Sequence, residues 1–168
     1  MKWLNDLPSP EAAAHLFACC GSEVWVAEMT AARPFEDSSH LMTRAAEIWA
    51  SVGAPGYLDA FAAHPKIGDK EALRSKFSRD RWAGDEQAGA SRASDRVLDE
   101  LAAANHLYED RFGYIFIICA TGKSAEEMLA ALRARLENSP EFELRLAAAE
   151  QARITRLRLE KILAEHAS

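Results

Sequence analysis

The sequence lacks the features that define several large protein classes. No apolar run approaches the roughly 20 residues that a helix needs to cross a bilayer, and the first residues, MKWLNDLPSP, contain no apolar signal segment. The excess charge is negative, with a formal net charge of −6, whereas nucleic-acid binding needs clustered lysine and arginine. We therefore expect a soluble cytoplasmic protein that binds neither membranes nor nucleic acid.

Cysteine is scarce and histidine is scattered. Cys19 and Cys20 are adjacent and Cys119 lies far away, so the sequence contains no CxxC pair. The 5 histidines show neither HxH nor HExxH spacing. Unpaired cysteines in a helical pattern are typical of free thiols in a reducing compartment. The sequence thus predicts no metal site.

Glycine and proline are also few, and most of them separate segments with helical periodicity. A chain of 168 residues fits one domain, and we find no internal repeat or linker. We predict an all-α fold over residues 1–168, a compact single-domain bundle of about seven to eight helices. The predicted helices span 9–20, 23–32, 37–53, 55–64, 85–111, 124–139 and 140–165.

Local signals indicate where several of these helices begin. Ser9 suits the N-cap of one helix and Ser22 that of the next, while residues 37–39 offer a cap for a third. Ser124 followed by Glu127 forms the pattern of a capping box. Gly53 is expected to end the third helix.

One apolar run departs from the helical pattern. The segment GYIFIICATGK, residues 113–123, is short, rich in β-branched and aromatic residues, and bounded by glycines. Periodicity cannot separate a buried strand from a buried helix in such a run. Because no other segment suggests a strand to pair with it, we expect buried irregular or helical structure.

The pair His64–Pro65, in FAAHPKIGD, is the first candidate for chemistry. Proline disfavours helical backbone at the residue before it, so the preceding helix should end at or near His64. A helix C-terminus favours the protonated imidazole, and histidine titrates near neutrality. His64 is therefore a candidate proton donor or acceptor. The alternative is a packing residue that caps the last helical carbonyls.

Two further positions are candidates for substrate contacts. Glu86 and Gln87 place a carboxylate beside a primary amide, which suits a ureide or imide substrate; the alternative is a solvated first helical turn. Arg158 lies on a stripe with Ile154 and Ile162. An arginine on an apolar stripe needs an anionic partner, either an internal glutamate or a substrate anion.

Five collinear segments resemble the family of 2-oxo-4-hydroxy-4-carboxy-5-ureidoimidazoline (OHCU) decarboxylases. They are HPKIG (64–68), EQ (86–87), FGYIFIICATGKS (112–124), RLEN (135–138) and RITRLRL (153–159). The resemblance covers nearly the whole chain. It implies an all-helical homodimer without a cofactor, which converts OHCU to (S)-allantoin and CO2 in urate degradation.

The resemblance also implies residue roles. It assigns catalysis to His64 and Glu86, with no metal. At one position the chain departs from the family, which often has serine in an SxxEQ pattern where this sequence has Ala83. The substrate-binding positions that it implies are Pro65, Ala83, Gln87, Phe116, Ile117, Ile118, Cys119, Ala120 and Arg158.

The residues themselves leave two other functions open. A non-enzymatic helical interaction module would account for ordinary amphipathic helices, but not for an arginine on an apolar stripe together with a histidine locked before proline. A different ureide-processing enzyme, such as a metal-dependent hydrolase, would need ligand spacing that the histidines do not show.

Overall fold

The computed structural model describes residues 1–64 and 87–166, and within residues 87–94 it describes the backbone alone. This part of the chain is helical and contains no strand, so the all-α prediction is confirmed, as is the expected number of helices. The helices are α1 (Lys2–Asp6), α2 (Ser9–Cys19), α3 (Glu23–Ala31), α4 (Ser38–Ser51), α5 (Gly53–Ala62), α6 (Gln87–Phe112), α7 (Ala125–Arg135) and α8 (Pro140–Glu165).

The chain packs into two compact units. The first comprises Met1–His64 with Ala148–Ser168, and the second comprises Pro65–Ala147. Helix α8 contributes its beginning to the second unit and the rest to the first. The prediction of one domain over residues 1–168 stays a prediction. None of the described helices is both long enough and apolar enough to cross a bilayer.

The first unit has an aromatic core. Trp25 is fully buried and its indole N–H donates to the carbonyl of Ala45 at 3.0 Å. The indole N–H of Trp49 donates to the carbonyl of Ala148, also at 3.0 Å, and so connects α4 to α8. A buried indole needs such a partner because its N–H would otherwise lose its hydrogen bond to water.

A glycine lets two chain segments of the first unit approach closely. A Cβ added at Gly21, which follows α2, would lie 2.2 Å from Cβ of Ala63. No residue larger than glycine can occupy that position without moving the backbone. The close approach brings the end of α5, where His64 lies, to the end of α2.

The second unit packs α6, α7 and the apolar run around another core. Its fully buried residues include Leu101, Tyr108, Met128 and Leu132. Residues 115–120 of the run have neither helical nor strand hydrogen bonding, so the expectation of buried irregular structure is confirmed. Gly113 and Gly122 have φ of +79° and +74°, a conformation that glycine adopts without strain. These two glycines allow the chain to enter and leave the run.

Most of the predicted helix starts are confirmed. The Ser22 hydroxyl accepts from the Trp25 N–H, Asp37 caps α4, and Ser124 and Glu127 form a reciprocal capping box. The Ser9 prediction is wrong, because Pro8 occupies the N-cap and Ser9 is already helical.

The predicted stop at Gly53 is confirmed, because α4 ends at Ser51 with Val52 as its C-cap, and Gly53 follows with φ of +67°. One helix differs from the sequence predictions. The short helix α1 was not predicted, because its 5 residues are too few to show a helical period.

Candidate functional site

His64 lies two residues beyond α5. The helix ends at Ala62, Ala63 is its C-cap, and the His64 backbone N–H donates to the carbonyl of Phe61 at 3.1 Å. The prediction that the helix ends at or near His64 is confirmed. Its imidazole is half-buried, so one part of the ring is held by the protein.

A glutamine from α8 holds the imidazole. Nε2 of His64 lies 2.6 Å from Oε1 of Gln151, and Gln151 is fully buried. The Gln151 amide nitrogen donates to the Thr155 hydroxyl at 3.2 Å. The Thr155 side chain also lowers the pKa of the Cys20 thiol, against the effect of burial. His64, Gln151 and Thr155 thus form a hydrogen-bonded chain through the buried Gln151.

This environment keeps the imidazole neutral. Burial lowers the pKa of His64 below its usual value, the hydrogen bond that the ring donates to Gln151 opposes that shift, and the positive charge of Arg158 lowers the pKa further. The expectation that the protonated form would be favoured is wrong, because burial, the largest influence on the ring, lowers its pKa. At neutral pH His64 is therefore a proton acceptor.

Arg158 lies in the same unit and is half-buried. Its Nη1 donates to the carbonyls of Ala18 and Cys19, each at 3.3 Å, which are the last carbonyls of α2. An arginine is favourable there because it neutralises the negative end of the helix dipole. Within the described part of the chain, Nε and Nη2 have no hydrogen-bond partner, so part of the guanidinium fork remains available for an anion.

The neighbouring cysteines are free thiols, as predicted. Burial raises the pKa of Cys19 to about 11, although Arg158 lowers it in part. Burial also raises the pKa of Cys20. Because the thiolate is the nucleophilic form, neither cysteine is activated at neutral pH.

The apolar run carries the other implied substrate contacts and belongs to the second unit. Phe116 and Ile117 are almost fully buried, so their backbone groups need partners. Oδ1 of Asn105 accepts from the Phe116 N–H at 3.3 Å. Nη1 of Arg135 donates to the Ile117 carbonyl at 2.8 Å. Side chains therefore replace the neighbouring strand that an extended segment usually has.

Arg135 is fixed in turn by a buried carboxylate. Its Nε donates to Oε1 of Glu143 at 2.7 Å, and Nδ2 of Asn138 donates to Oε2 at 2.6 Å. Tyr108 also donates its hydroxyl to Glu143. Burial and the acceptor at Glu143 raise the pKa of Tyr108 well above its usual range. The guanidinium lies over the Phe116 ring, 4.6 Å from its centroid, which adds a cation–π contact.

The structure places some of the predicted site residues and not others. His64 and Arg158 lie together in the first unit, and Arg158 acts electrostatically on His64. Pro65, Ala83 and Glu86 lie outside the described residues. Gln87 is the first residue of α6, and its side chain is not described. The remaining predicted residues, Phe116, Ile117, Ile118, Cys119 and Ala120, lie in the second unit.

Sequence reasoning missed the residues that support the site. Gln151 and Thr155 are spaced i, i+4 on the buried side of α8, with Leu159 one turn further. Two polar residues on a buried stripe are a signal that could have been found. Asn105 carries no such signal, because the bond that it accepts comes from the Phe116 N–H, a backbone group of the apolar run.

No group of three or more histidine, cysteine, aspartate or glutamate side chains in the described ranges could hold a metal ion. The groups gathered around His64 are instead an amide, a hydroxyl, a thiol and a guanidinium. A neutral, half-buried imidazole next to a partly available guanidinium is suited to proton transfer on an anionic substrate. The fold and site define a class of all-helical protein whose candidate site is suited to acid–base chemistry.

The family follows from comparison with known proteins. The family model described as OHCU decarboxylase matches residues 5–160, which is most of the chain. The chain therefore belongs to the OHCU decarboxylase family, in agreement with the resemblance of its motifs.

Relatives with known descriptions agree with this assignment. The chain is 40% identical over 152 residues to the uric acid degradation bifunctional protein of Arabidopsis thaliana, covering 89% of this chain and 46% of that protein. It is 29% identical over 140 residues to the OHCU decarboxylase of Amia calva, covering 83% and 80%. The chain thus spans less than half the length of the bifunctional relative.

Solved structures give the same fold. A crystal structure of OHCU decarboxylase in the presence of (S)-allantoin matches with a TM-score of 0.72 and 38% identity, covering 88% of this chain and 96% of that one. A crystal structure of (S)-allantoin synthase matches with a TM-score of 0.66 and 23% identity, covering 95% and 52%. The second likeness concerns the fold alone.

Proposed function

We propose that this chain is a carboxy-lyase that converts OHCU to (S)-allantoin and CO2, without a cofactor, in the degradation of urate. The observation that carries the proposal is the neutral His64, held by Gln151 beside Arg158, in a chain that belongs to the OHCU decarboxylase family. The relative solved in the presence of (S)-allantoin, the proposed product, supports this choice of reaction.

The substrate provides its own electron sink. The carboxylate leaves a ring carbon next to a C=N bond, so the bonding electrons move into that imine and form an enamine. A prosthetic group is not needed to accept them. The protein has to align the carboxylate for C–C cleavage, stabilise the developing charge, and control proton delivery to one face of the enamine carbon. The last step sets the (S) configuration.

The described residues suit these tasks. His64 enters the reaction neutral, because burial and Arg158 lower its pKa, and it accepts a substrate proton. Arg158 uses Nη1 on the end of α2 and offers the rest of its fork to substrate oxygens. We assign Glu86 to orienting or sharing the proton. The other proposed contacts are Pro65, Ala83, Gln87 and the run Phe116–Ala120.

We also propose that the enzyme is a homodimer in the cytoplasm. The family resemblance supports the homodimer. The free thiols Cys19 and Cys20 are typical of a reducing compartment. The partner of the protein is a small ureide, and we propose no binding to nucleic acid or membrane. Sedimentation of the purified protein tests the dimer, and a monomeric active enzyme would contradict it.

The first experiment follows the handedness of the product. OHCU is made in situ from urate with uricase and hydroxyisourate hydrolase, and circular dichroism is recorded after this protein is added. We expect a rapid signal that settles at the value of (S)-allantoin and persists in excess chelator. OHCU also decays spontaneously to racemic allantoin. A slow approach to zero ellipticity in the presence of folded protein would disprove the function.

Variants then test the assigned roles. His64→Ala and Glu86→Ala should lose most of kcat, by roughly 10²–10⁴-fold for a residue in general acid–base catalysis. Arg158→Lys should raise KM, because lysine cannot replace the two-pronged fork. Wild-type turnover in either alanine variant, or an unchanged KM in the lysine variant, would remove that residue from the proposal.

A further inference from the structure

The hydrogen bonds around His64 have a direction that can be read from their chemistry. An amide nitrogen only donates, so the contact from Gln151 Nε2 to the Thr155 hydroxyl, at 3.2 Å, uses an oxygen lone pair of Thr155. The Thr155 hydroxyl proton then points away from Gln151, and the Thr155 side chain lowers the pKa of the Cys20 thiol. The hydrogen bond to Thr155 thereby determines which way the Gln151 amide is oriented.

The orientation of the Gln151 amide also determines which of its atoms contacts His64. With its nitrogen engaged by Thr155, Gln151 presents its carboxamide oxygen to Nε2 of His64, 2.6 Å away. A carboxamide oxygen only accepts, so Nε2 must carry a proton. Both donors point the same way, from His64 through Gln151 to Thr155, and such aligned hydrogen bonds reinforce one another.

We infer that Gln151 is a positioning residue, which accepts the Nε2 proton of His64 and so holds the neutral imidazole in the tautomer whose Nδ1 receives the substrate proton. In neutral imidazole one nitrogen donates and the other accepts. Within the described part of the chain, no group forms a hydrogen bond to Nδ1. This inference rests on the proposed function, because it names the nitrogen at which His64 reacts.

An amide rather than a carboxylate at position 151 affects the pH range over which His64 is unprotonated. A carboxylate at this position would stabilise the imidazolium and raise the pKa of His64, whereas the neutral amide orients the ring with a weaker effect on its charge. Among the described residues, the charged group acting on His64 is Arg158, and the titratable group that Thr155 influences is the Cys20 thiol. Gln151 therefore orients a base that stays unprotonated.

The tautomer can be measured without any catalysis. Long-range ¹H–¹⁵N spectra of the ¹⁵N-histidine-labelled protein distinguish the protonated from the unprotonated ring nitrogen, and His64→Gln identifies the signals of His64. Above the pKa of His64 we expect Nε2 protonated and Nδ1 unprotonated in the wild type. The opposite pattern in the wild type would overturn the inference.

Variants of Gln151 test the cause. Gln151→Leu keeps the size but removes the acceptor, so both tautomers should appear and kcat should fall by roughly ten- to a hundredfold, the loss typical when a residue that orients a metal-bound histidine is removed. Gln151→Glu restores an acceptor, so the Nε2–H tautomer should persist. Its carboxylate should also move the acidic limb of the kcat/KM profile to higher pH.

A matched pair at Thr155 provides a control if the Gln151 variants fold poorly. Thr155→Val keeps the shape but removes the hydroxyl, so the Gln151 amide can turn over and the tautomers of His64 should mix. Thr155→Ser changes the same position but keeps the hydroxyl, so His64 should retain the wild-type tautomer in this variant. Equal tautomer populations in both variants would show that Thr155 does not orient Gln151.

The outcomes separate this inference from the proposed function. If the wild type decarboxylates OHCU but Gln151→Leu keeps the wild-type tautomer and pH profile, Gln151 is not a positioning residue, while the function stands. If the wild type does not act on OHCU but Gln151→Leu mixes the tautomers, the function falls, while the control of His64 by Gln151 stands.

Discussion

Opposing influences meet at His64, where the ring is half-buried at the end of a helix. Desolvation and the positive charge of Arg158 both lower the pKa of His64, and Gln151 only partly compensates. The helix dipole alone would have favoured the imidazolium. A residue that titrates near neutrality in water is thereby kept available as a base at neutral and mildly acidic pH.

Removal of the nearby positive charge tests this balance. Arg158→Gln should raise the pKa of His64, because the imidazolium no longer faces a like charge. The fraction of neutral His64 then falls at a given mildly acidic pH. The measurement is an NMR titration of the His64 ring in the free protein, which does not depend on substrate binding.

A charge change elsewhere on α8 provides the control for that titration. Arg153→Gln removes an arginine that is 69% exposed and paired with Glu150, so the pKa of His64 should not change. An equal rise in both variants would point to the net charge of the protein rather than to Arg158.

The sequence reveals single residues whose chemistry is unusual for their position. The histidine before Pro65 and the arginine on an apolar stripe are examples, and the structure places both His64 and Arg158 in one unit. The partner of Arg158 was not predicted, because the carbonyls of Ala18 and Cys19 lie about 140 positions away in the sequence.

At the scale of elements, the apolar run shows how an extended segment can be buried in a helical protein. Its backbone groups are bound by Asn105 from α6 and Arg135 from α7. Glu143, fully buried at the start of α8, fixes Arg135. The segment that we propose as a wall of the substrate site is thus held by three helices.

Loss of this buried ion pair should be costly. Arg135→Met leaves the Glu143 carboxylate buried without its cation, which should lower the free energy of unfolding by about 3–5 kcal/mol. The same change removes the donor to the Ile117 carbonyl. Urea unfolding, followed by circular dichroism, measures the effect.

The control is an arginine on the same helix with an exposed partner. Arg133 pairs with Glu100 and is 59% exposed, so Arg133→Met should change stability little. If the two variants unfold at the same urea concentration, the buried pair does not stabilise the second unit as argued.

The whole molecule matches its family from residue 5 to residue 160, whereas its bifunctional relatives are much longer. Under the proposed function the chain binds a small ureide, so its product should stabilise the protein through mass action. At 100 times its dissociation constant, (S)-allantoin should stabilise the protein by about 2.7 kcal/mol. For a protein of this size that corresponds to a Tm rise of about 5–10 °C.

The enantiomer provides the matched control for the thermal measurement. Freshly resolved (R)-allantoin should raise Tm less, because a site that delivers a proton to one face is complementary to one hand of the product. Equal shifts with both enantiomers would argue against a stereospecific site, and the absence of any shift would argue against product binding.

The sequence by itself determined the features that depend on neighbours along the chain. Ser22, Asp37 and Ser124 cap helices through bonds to residues three positions away, and such local bonds form wherever the side chain and helix occur together. The family motifs likewise appear as short strings.

Only the tertiary structure decided how the site residues are held. Gln151 meets His64 across 87 positions, and Arg135 meets Ile117 across 18. Contacts of this kind depend on which helix faces pack together, because the side chains have no local partner that would select them. Packing also lowered the pKa of His64, because burial penalises the charged imidazolium.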